Sequence, residues 1–394
     1  MDLSKYCSIQ LDKIPFEKIR DPAVFERGAA PYVNVGSDEL INFTTNNYLS
    51  LSTHPAVIEA AIRCVQDHGA GAGSSRLVAG TNSLVLELES RMSDLKETES
   101  TVVTTSGYSA SLSLLPVIVG REDGIALEKG AHASLVAGSR MSKASIAVFR
   151  RDRLGSLERA IDYLKKKGAK NVLVVIDGIH SMDGDIAPLD TIIPIVEEKG
   201  VWLVVDDAHA TGVLGSEGRG TFSHFDMKPG ANVIQLGTLS KAIGSQGGYI
   251  SASEKVIQLI KQKASAFIYT TGLSPSCVGA ALKSLEIIES DNDRLARLRK
   301  NVESIRKKLF DDERATSPSP IIPIICGAEE RALEASKELM SAGALTVAIR
   351  PPTVPKGSSR LRISVQADHR MFVEGADHSA EERYLVIMRR CAAE

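Results

Sequence analysis

A single lysine, Lys241, stands in GTLSKAIGSQGG (237–248), a turn of small residues that ends an apolar run. The β-branched Val233 and Ile234, with Leu236, read as a buried strand leading into it. A primary amine in such a place loses hydration and its pKa falls, which suits it to condense with a carbonyl near neutral pH. A second run, VWLVVDDAHATGVLG (201–215), ends in Asp206, Asp207 and His209. A third, NVLVVIDGIHSMDGD (171–185), delivers Asp177, His180 and Ser181. A buried carboxylate costs desolvation unless it meets a cation. Ser106-Gly107-Tyr108 follows another strand and opens a helix, and the free N–H groups of a helix start suit a phosphate.

These requirements converge on one ligand. It has a phosphate at Ser106–Tyr108 and Thr238, a cationic ring nitrogen at Asp206 and a carbonyl at Lys241. Pyridoxal phosphate meets each of them. Taken alone, Asp206 could equally cap the turn after its strand. The glycine-rich GAGAGSSRLVAG (69–80) follows a helical pattern and lacks G-K-[ST], so it is neither a dinucleotide fingerprint nor a P-loop.

The elements that must position this chemistry alternate along the middle of the chain. Thr101–Thr105, Ile125–Leu127, Ile146–Phe149, Val172–Ile176, Val201–Val205, Val233–Leu236 and Tyr249–Ser251 read as strands. Several are apolar throughout, as strands covered on both faces are. Helical spacing separates them, as in Leu84–Leu95 and LERAIDYL (157–164). The expectation is α/β, a mainly parallel seven-stranded sheet flanked by helices, with ligands at the carboxyl ends of its strands. After Cys277 come helices at Val278–Ser290 and Asp293–Phe310, a proline-broken SPSPIIPII, and a helix at Glu329–Ala342. Then follow an extended Leu345–Ile349, a proline turn, a strand at Arg360–Val365 and a final helix. The reading divides the chain into an arm (1–45), a large domain (46–281) and a small α+β domain (282–394).

Composition narrows the partners. The 394 residues are 43% apolar and 24% charged with a net charge of -2, an ordinary globular profile without the basic face of a nucleic-acid binder. Five cysteines (Cys7, Cys64, Cys277, Cys326, Cys391) are odd in number and never spaced C-x-x-C. That argues against a disulfide framework or a zinc site and for a reducing compartment. Met1–Arg20 is mixed and charged, and no run of about 18 apolar residues is long enough to span a bilayer. A cytoplasmic protein without membrane or nucleic-acid partners is expected.

At these residues the sequence resembles the α-oxoamine synthases, pyridoxal-phosphate enzymes of aminotransferase fold type I. The resemblance covers about residues 20–365. It rests on NFTTNNYLSL (42–51), GAGAGSSRLVAG, TTSGYSA (104–110), HASL (132–135), DGIHSMDGD (177–185), VVDDAHATGVLG (204–215), GTLSKAIGSQGG and YTTGLSP (269–275). AIRPPTVPKGSSRLRIS (348–364) resembles the C-terminal signature of members that join L-alanine to a pimeloyl thioester in biotin biosynthesis, releasing carbon dioxide and the thiol carrier.

The resemblance implies a role for each matching residue. Lys241 would hold the cofactor and act as the base at the substrate Cα. Asp206 would pair with the ring nitrogen. His209 would hydrogen-bond the phenolic oxygen with Ser181 nearby, and His132 would stack on the ring. Gly107, Tyr108 and Thr238 would hold the phosphate, and Thr270 or Thr271 would reach the phosphate of a neighbouring subunit, giving a homodimer with a shared site. Arg362 and Asn46 would hold the substrate carboxylate, and Arg20 and Thr353 would contact the acyl substrate. The acyl carrier would be coenzyme A or an acyl carrier protein.

Alternatives remain open at this point. Arg362 could be a plain outward arginine of its strand, and Arg20 a surface residue. Thr270 and Thr271 could merely fill a turn. A 2-amino-3-ketobutyrate CoA ligase or another member of the family, an aminotransferase, and a cofactor-free binding module are the rival functions.

Overall fold

The computed structural model describes residues 2–14, 24–153, 155–370 and 378–393. A hairpin opens the ordered strands, β1 (Tyr32–Val35) paired antiparallel with β2 (Asp38–Asn42). Its turn uses Gly36 at φ +64°, a left-handed conformation that glycine adopts without strain. Seven strands follow: β3 (Ser100–Thr104), β4 (Gly124–Glu128), β5 (Ser145–Phe149), β6 (Val172–Asp177), β7 (Trp202–Asp206), β8 (Val233–Thr238) and β9 (Gly248–Ala252). They form one sheet in the order β3-β9-β8-β7-β6-β4-β5. β5, β4, β6, β7 and β8 are mutually parallel, and β9 runs antiparallel to both β8 and β3.

The apolar runs of the sequence are explained by what covers them. Along β6, Leu173 and Val175 join a core with Leu114, Leu115 and Leu135. Val174 and Ile176 point to the other face and pack with Leu157, Ile161, Leu164 and Ile192. Side chains alternate between faces of a strand, so a sheet buried on both sides needs an apolar residue at nearly every position.

The C-terminal part holds β10 (Ile321–Gly327), β11 (Ala344–Leu345), β12 (Ala348–Ile349) and β13 (Ser359–Ser364). β13 is flanked by β10 and β12, both antiparallel. The extended stretch expected at Leu345–Ile349 is divided between two sheets: β11 runs parallel to β2, and β12 pairs with β13. The region read as broken by prolines contains β10, with Pro323 inside it. β10 lies at the sheet edge, where a residue without an N–H is tolerated.

The cysteine reading needs correction. Spacing argued against disulfide bonding, yet Cys326 on β10 and Cys391 in the helix Ser379–Ala393 are joined by a disulfide across 65 positions. Their proximity comes from packing of that helix on β10, which no local spacing announces. Cys7, Cys64 and Cys277 are free. Among the described residues no helix is long and apolar enough to cross a membrane, and no group of three His, Cys, Asp or Glu side chains is arranged to hold a metal.

Candidate active site

Parallel strands deliver the polar residues to one edge. β6 ends at Asp177 and β7 at Asp206, side by side in register, and β8 ends at Thr238, just before Lys241. Beyond them opens a cavity of about 200 Å³. Eight of the residues expected at the site line it: Gly107, Tyr108, His132, Ser181, Asp206, His209, Thr238 and Lys241.

The cavity has distinct ends. At one, the helix Gly107–Ile118 begins with Ser106 as N-cap, its hydroxyl accepting the Ser109 N–H at 3.0 Å in a reciprocal capping box. That leaves the first-turn N–H groups of Gly107 and Tyr108 beside Thr238 and Ser240. A Cβ on Gly107 would lie 3.2 Å from the Thr238 Cβ, so glycine is what lets the helix start sit this close. At the other end, Lys241 Nζ lies 2.8 Å from His209 Nε2, and His209 Nδ1 lies 2.7 Å from the Tyr48 hydroxyl. Tyr48 donates to Asn46 Oδ1 at 3.1 Å, and Arg362 Nη1 donates to the same oxygen at 2.9 Å. Arg362 Nε donates to the Ser181 carbonyl at 2.7 Å. Asn46 and Arg362 therefore join the cluster through hydrogen bonds, although they lie 316 positions apart.

Burial tunes the charges. Loss of hydration is the main influence on Lys241 and brings its pKa down to about 8, against the pull of Asp206. Asp206 is pushed up to about 6 by burial, with Lys241 the chief opposing influence. Asp177 is pushed up to about 8 by burial and then by the neighbouring Asp206 and Glu128 charges. His209 is held well below its ordinary value, first by burial and then by Lys241, and is a neutral imidazole. The His132 imidazole, at the N-cap of the helix Ala133–Ser142, has its pKa lowered by desolvation and then by Lys241; the His132 backbone N–H donates to Asp177 Oδ2 at 3.2 Å.

Other expected residues lie elsewhere. Thr270 and Thr271 line a separate small cavity with Arg76 and Thr105, and Thr271 forms a β-bridge with Ser75. Thr353 lines a third cavity, of about 360 Å³, with His180, Asp183 and Arg360. Arg20 lies outside the described residues. Tyr48 was not singled out as functional. It stands inside NFTTNNYLSL, but a fully buried tyrosine reads from sequence as core. Asp177, at the end of β6, also lines the cavity, and Arg151 donates to its carbonyl and to Glu128.

The residues fit pyridoxal phosphate. Asp206 is 7% exposed, its Oδ1 accepts the Ala208 N–H at 3.0 Å, and a cation in the cavity would relieve its raised pKa. Thr238, Ser240 and the helix start make a cradle for an anion at the opposite end.

Comparisons with known proteins agree with this geometry. The aminotransferase class I and II family matches residues 38–374. The 8-amino-7-oxononanoate synthase of Methylocella silvestris is 43% identical over 334 residues, 85% of this chain and 93% of that protein. The protein of that name from Beijerinckia indica is 41% identical over 340 residues, 86% of each chain. Among solved structures, Sphingomonas wittichii serine palmitoyltransferase superposes with a TM-score of 0.86 at 28% identity, covering 100% of this chain and 98% of that one. An 8-amino-7-oxononanoate synthase of Francisella tularensis gives 0.75 at 25% identity, covering 89% and 97%.

Proposed function

The chain belongs to the class I and II aminotransferase family, on its α-oxoamine synthase branch, and from that premise we propose that it catalyses the 8-amino-7-oxononanoate synthase reaction with pyridoxal phosphate. L-alanine and a pimeloyl thioester condense, and carbon dioxide and the free thiol leave. The observation that carries this reading is the single cavity in which Lys241 and Asp206 meet, joined through His209, Tyr48 and Asn46 to Arg362.

When bound, pyridoxal phosphate supplies an aldehyde carbon for amines and a ring that accepts the electron pair left at the substrate Cα. The protein's own groups do the rest. Lys241, with its pKa near 8, is neutral in part of the population at neutral pH and takes the Cα proton. Asp206 holds the ring-nitrogen proton, and a cation there keeps the carboxylate ionised. The Arg362 guanidinium, assisted by Asn46, orients the alanine carboxylate. His132 covers the ring and meets the thioester carbonyl. Thr238 and the N–H groups of Gly107 and Tyr108 hold the phosphate.

A homodimer belongs to the same reading, with Thr270 or Thr271 serving the neighbouring subunit's phosphate. Exposed apolar residues support it: Ile58, Ile62 and Val65 lie along one helix, and Tyr269 beside Thr270 is 83% exposed. Thr353 and Arg20 are assigned to the acyl chain, and the thioester is carried by coenzyme A or by an acyl carrier protein. The test is a substrate panel on purified, cofactor-loaded protein. Thiol release is expected to be fastest with L-alanine and pimeloyl-CoA. Faster release with glycine and acetyl-CoA, or with L-serine and palmitoyl-CoA, would overturn the substrate assignment.

A further inference from the structure

The fully buried Tyr48 has no place in the chemistry described so far, yet its hydroxyl joins the two halves of the site. It lies 2.7 Å from His209 Nδ1 and 3.1 Å from Asn46 Oδ1. Proton bookkeeping along the chain leaves one arrangement. Arg362 Nη1 can only donate, so the Asn46 atom facing it is the carbonyl oxygen, which can only accept. Tyr48 must then donate to Asn46. A hydroxyl has one proton, so His209 Nδ1 must donate to the Tyr48 oxygen. A neutral imidazole carries one N–H, so Nε2 is left as an acceptor, and it receives a hydrogen bond from the Lys241 amine at 2.8 Å.

We propose that Tyr48 is a positioning residue that sets the tautomer of His209 and so couples the carboxylate clamp of Asn46 and Arg362 to the Lys241 amine. A carboxylate seated on Arg362 competes for the guanidinium that now donates to Asn46. The Asn46 oxygen then draws more strongly on the Tyr48 proton, and the change passes through His209 to Lys241. The charges facing Lys241 are Asp206 and Asp177, which hold its proton, and Arg362, which repels it. Those facing His209 are Lys241, Arg362, His132 and His180. Tyr48 is the neutral link between the two sets.

The inference rests on the proposed function only for the identity of the carboxylate. Its test therefore has two parts. Nitrogen-15 NMR of the histidine rings in the cofactor-free protein should show His209 as the Nδ1–H tautomer. A wild-type Nε2–H tautomer overturns the proposal, and this reading needs no variant that folds. In the same cofactor-free protein, the pH midpoint of the Lys241 amine is followed by nitrogen-15 NMR with and without propionate, which is alanine without its amine. Propionate should move the wild-type midpoint by about half a pH unit or more, and Tyr48→Phe should lose most of that shift. Tyr48→Phe should also lower kcat about tenfold and raise the KM for L-alanine less than threefold. An undiminished propionate shift in Tyr48→Phe overturns the coupling. If the wild type forms no visible band when pyridoxal phosphate is added, the proposed function fails while the tautomer and the Lys241 midpoint still decide the relay.

Discussion

Asp206 and Asp207 are chain neighbours at the end of β7, both buried, and they lead opposite lives. Asp207 turns away from the cavity. Its Oδ2 accepts from Lys96 Nζ at 2.7 Å and from the Thr221 N–H at 3.1 Å, and its Oδ1 accepts the Thr221 hydroxyl at 2.5 Å. Lys96 is itself completed by the Arg219 carbonyl. Asp206 faces the cavity with the Ala208 N–H as its hydrogen-bond donor, and its pKa rises. A buried charge supplied with all its partners holds structure, whereas one left short of partners inside a cavity is prepared for a ligand. The same contrast separates the Lys96 and Lys241 amines.

The largest effect expected from this contrast is on activity. Asp206→Asn should lower kcat/KM about 10³-fold, roughly 4 kcal/mol, while the urea midpoint of the cofactor-free chain stays level or rises. A lost midpoint with retained activity would invert the two assignments. Next, Lys96→Met should cost about 3–5 kcal/mol of stability by leaving Asp207 unpaired, and adding Asp207→Asn should recover part of that loss. Denaturant titration of the single and double variants reads it. A control far from both acids is Cys391→Ser, which should cost about 2–4 kcal/mol under oxidising conditions with kcat unchanged. Under reducing conditions the difference from wild type should vanish.

The smallest effect is on the pH dependence of the cofactor-free chain. Asp206 and Asp177 have folded pKa values of about 6 and about 8, above the unfolded 3.8. Their contribution is fully present below pH 4 and is lost as pH rises through those values. Lys241, lowered from 10.5 to about 8, works the other way, and its contribution recovers above pH 8. From these groups the chain should lose stability as pH rises from 4 to 8, more steeply below pH 6 where both acids contribute, and Asp177→Asn should flatten that fall. A chain that gains stability over this window would show that the two acids are not strained.

Much of this was legible in the residues. The doubly covered strands announced themselves because both faces of β6, β7 and β8 need apolar side chains. Lys241, Asp206 and His209 stood out because the carboxyl ends of parallel strands are where such sheets bind ligands. What escaped was set by long-range packing. Pro323 made β10 read as a break because the strand's edge position is a property of the sheet. The Cys326–Cys391 bond depends on the seating of the last helix. Tyr48 escaped because its ring belongs to the core while its hydroxyl alone carries the connection. Asp207 looks like Asp206 in the sequence, and its partners Lys96, 111 positions away, and Thr221 tell them apart.

The most direct measurement follows the carbon atoms of uniformly carbon-13-labelled L-alanine incubated with pimeloyl-CoA and the cofactor-loaded protein. Labelled carbon dioxide should appear in step with free coenzyme A, and mass spectrometry should find an amino-ketone product that keeps two labelled carbons. Labelled pyruvate, with no labelled carbon dioxide and no thiol released, would contradict the account.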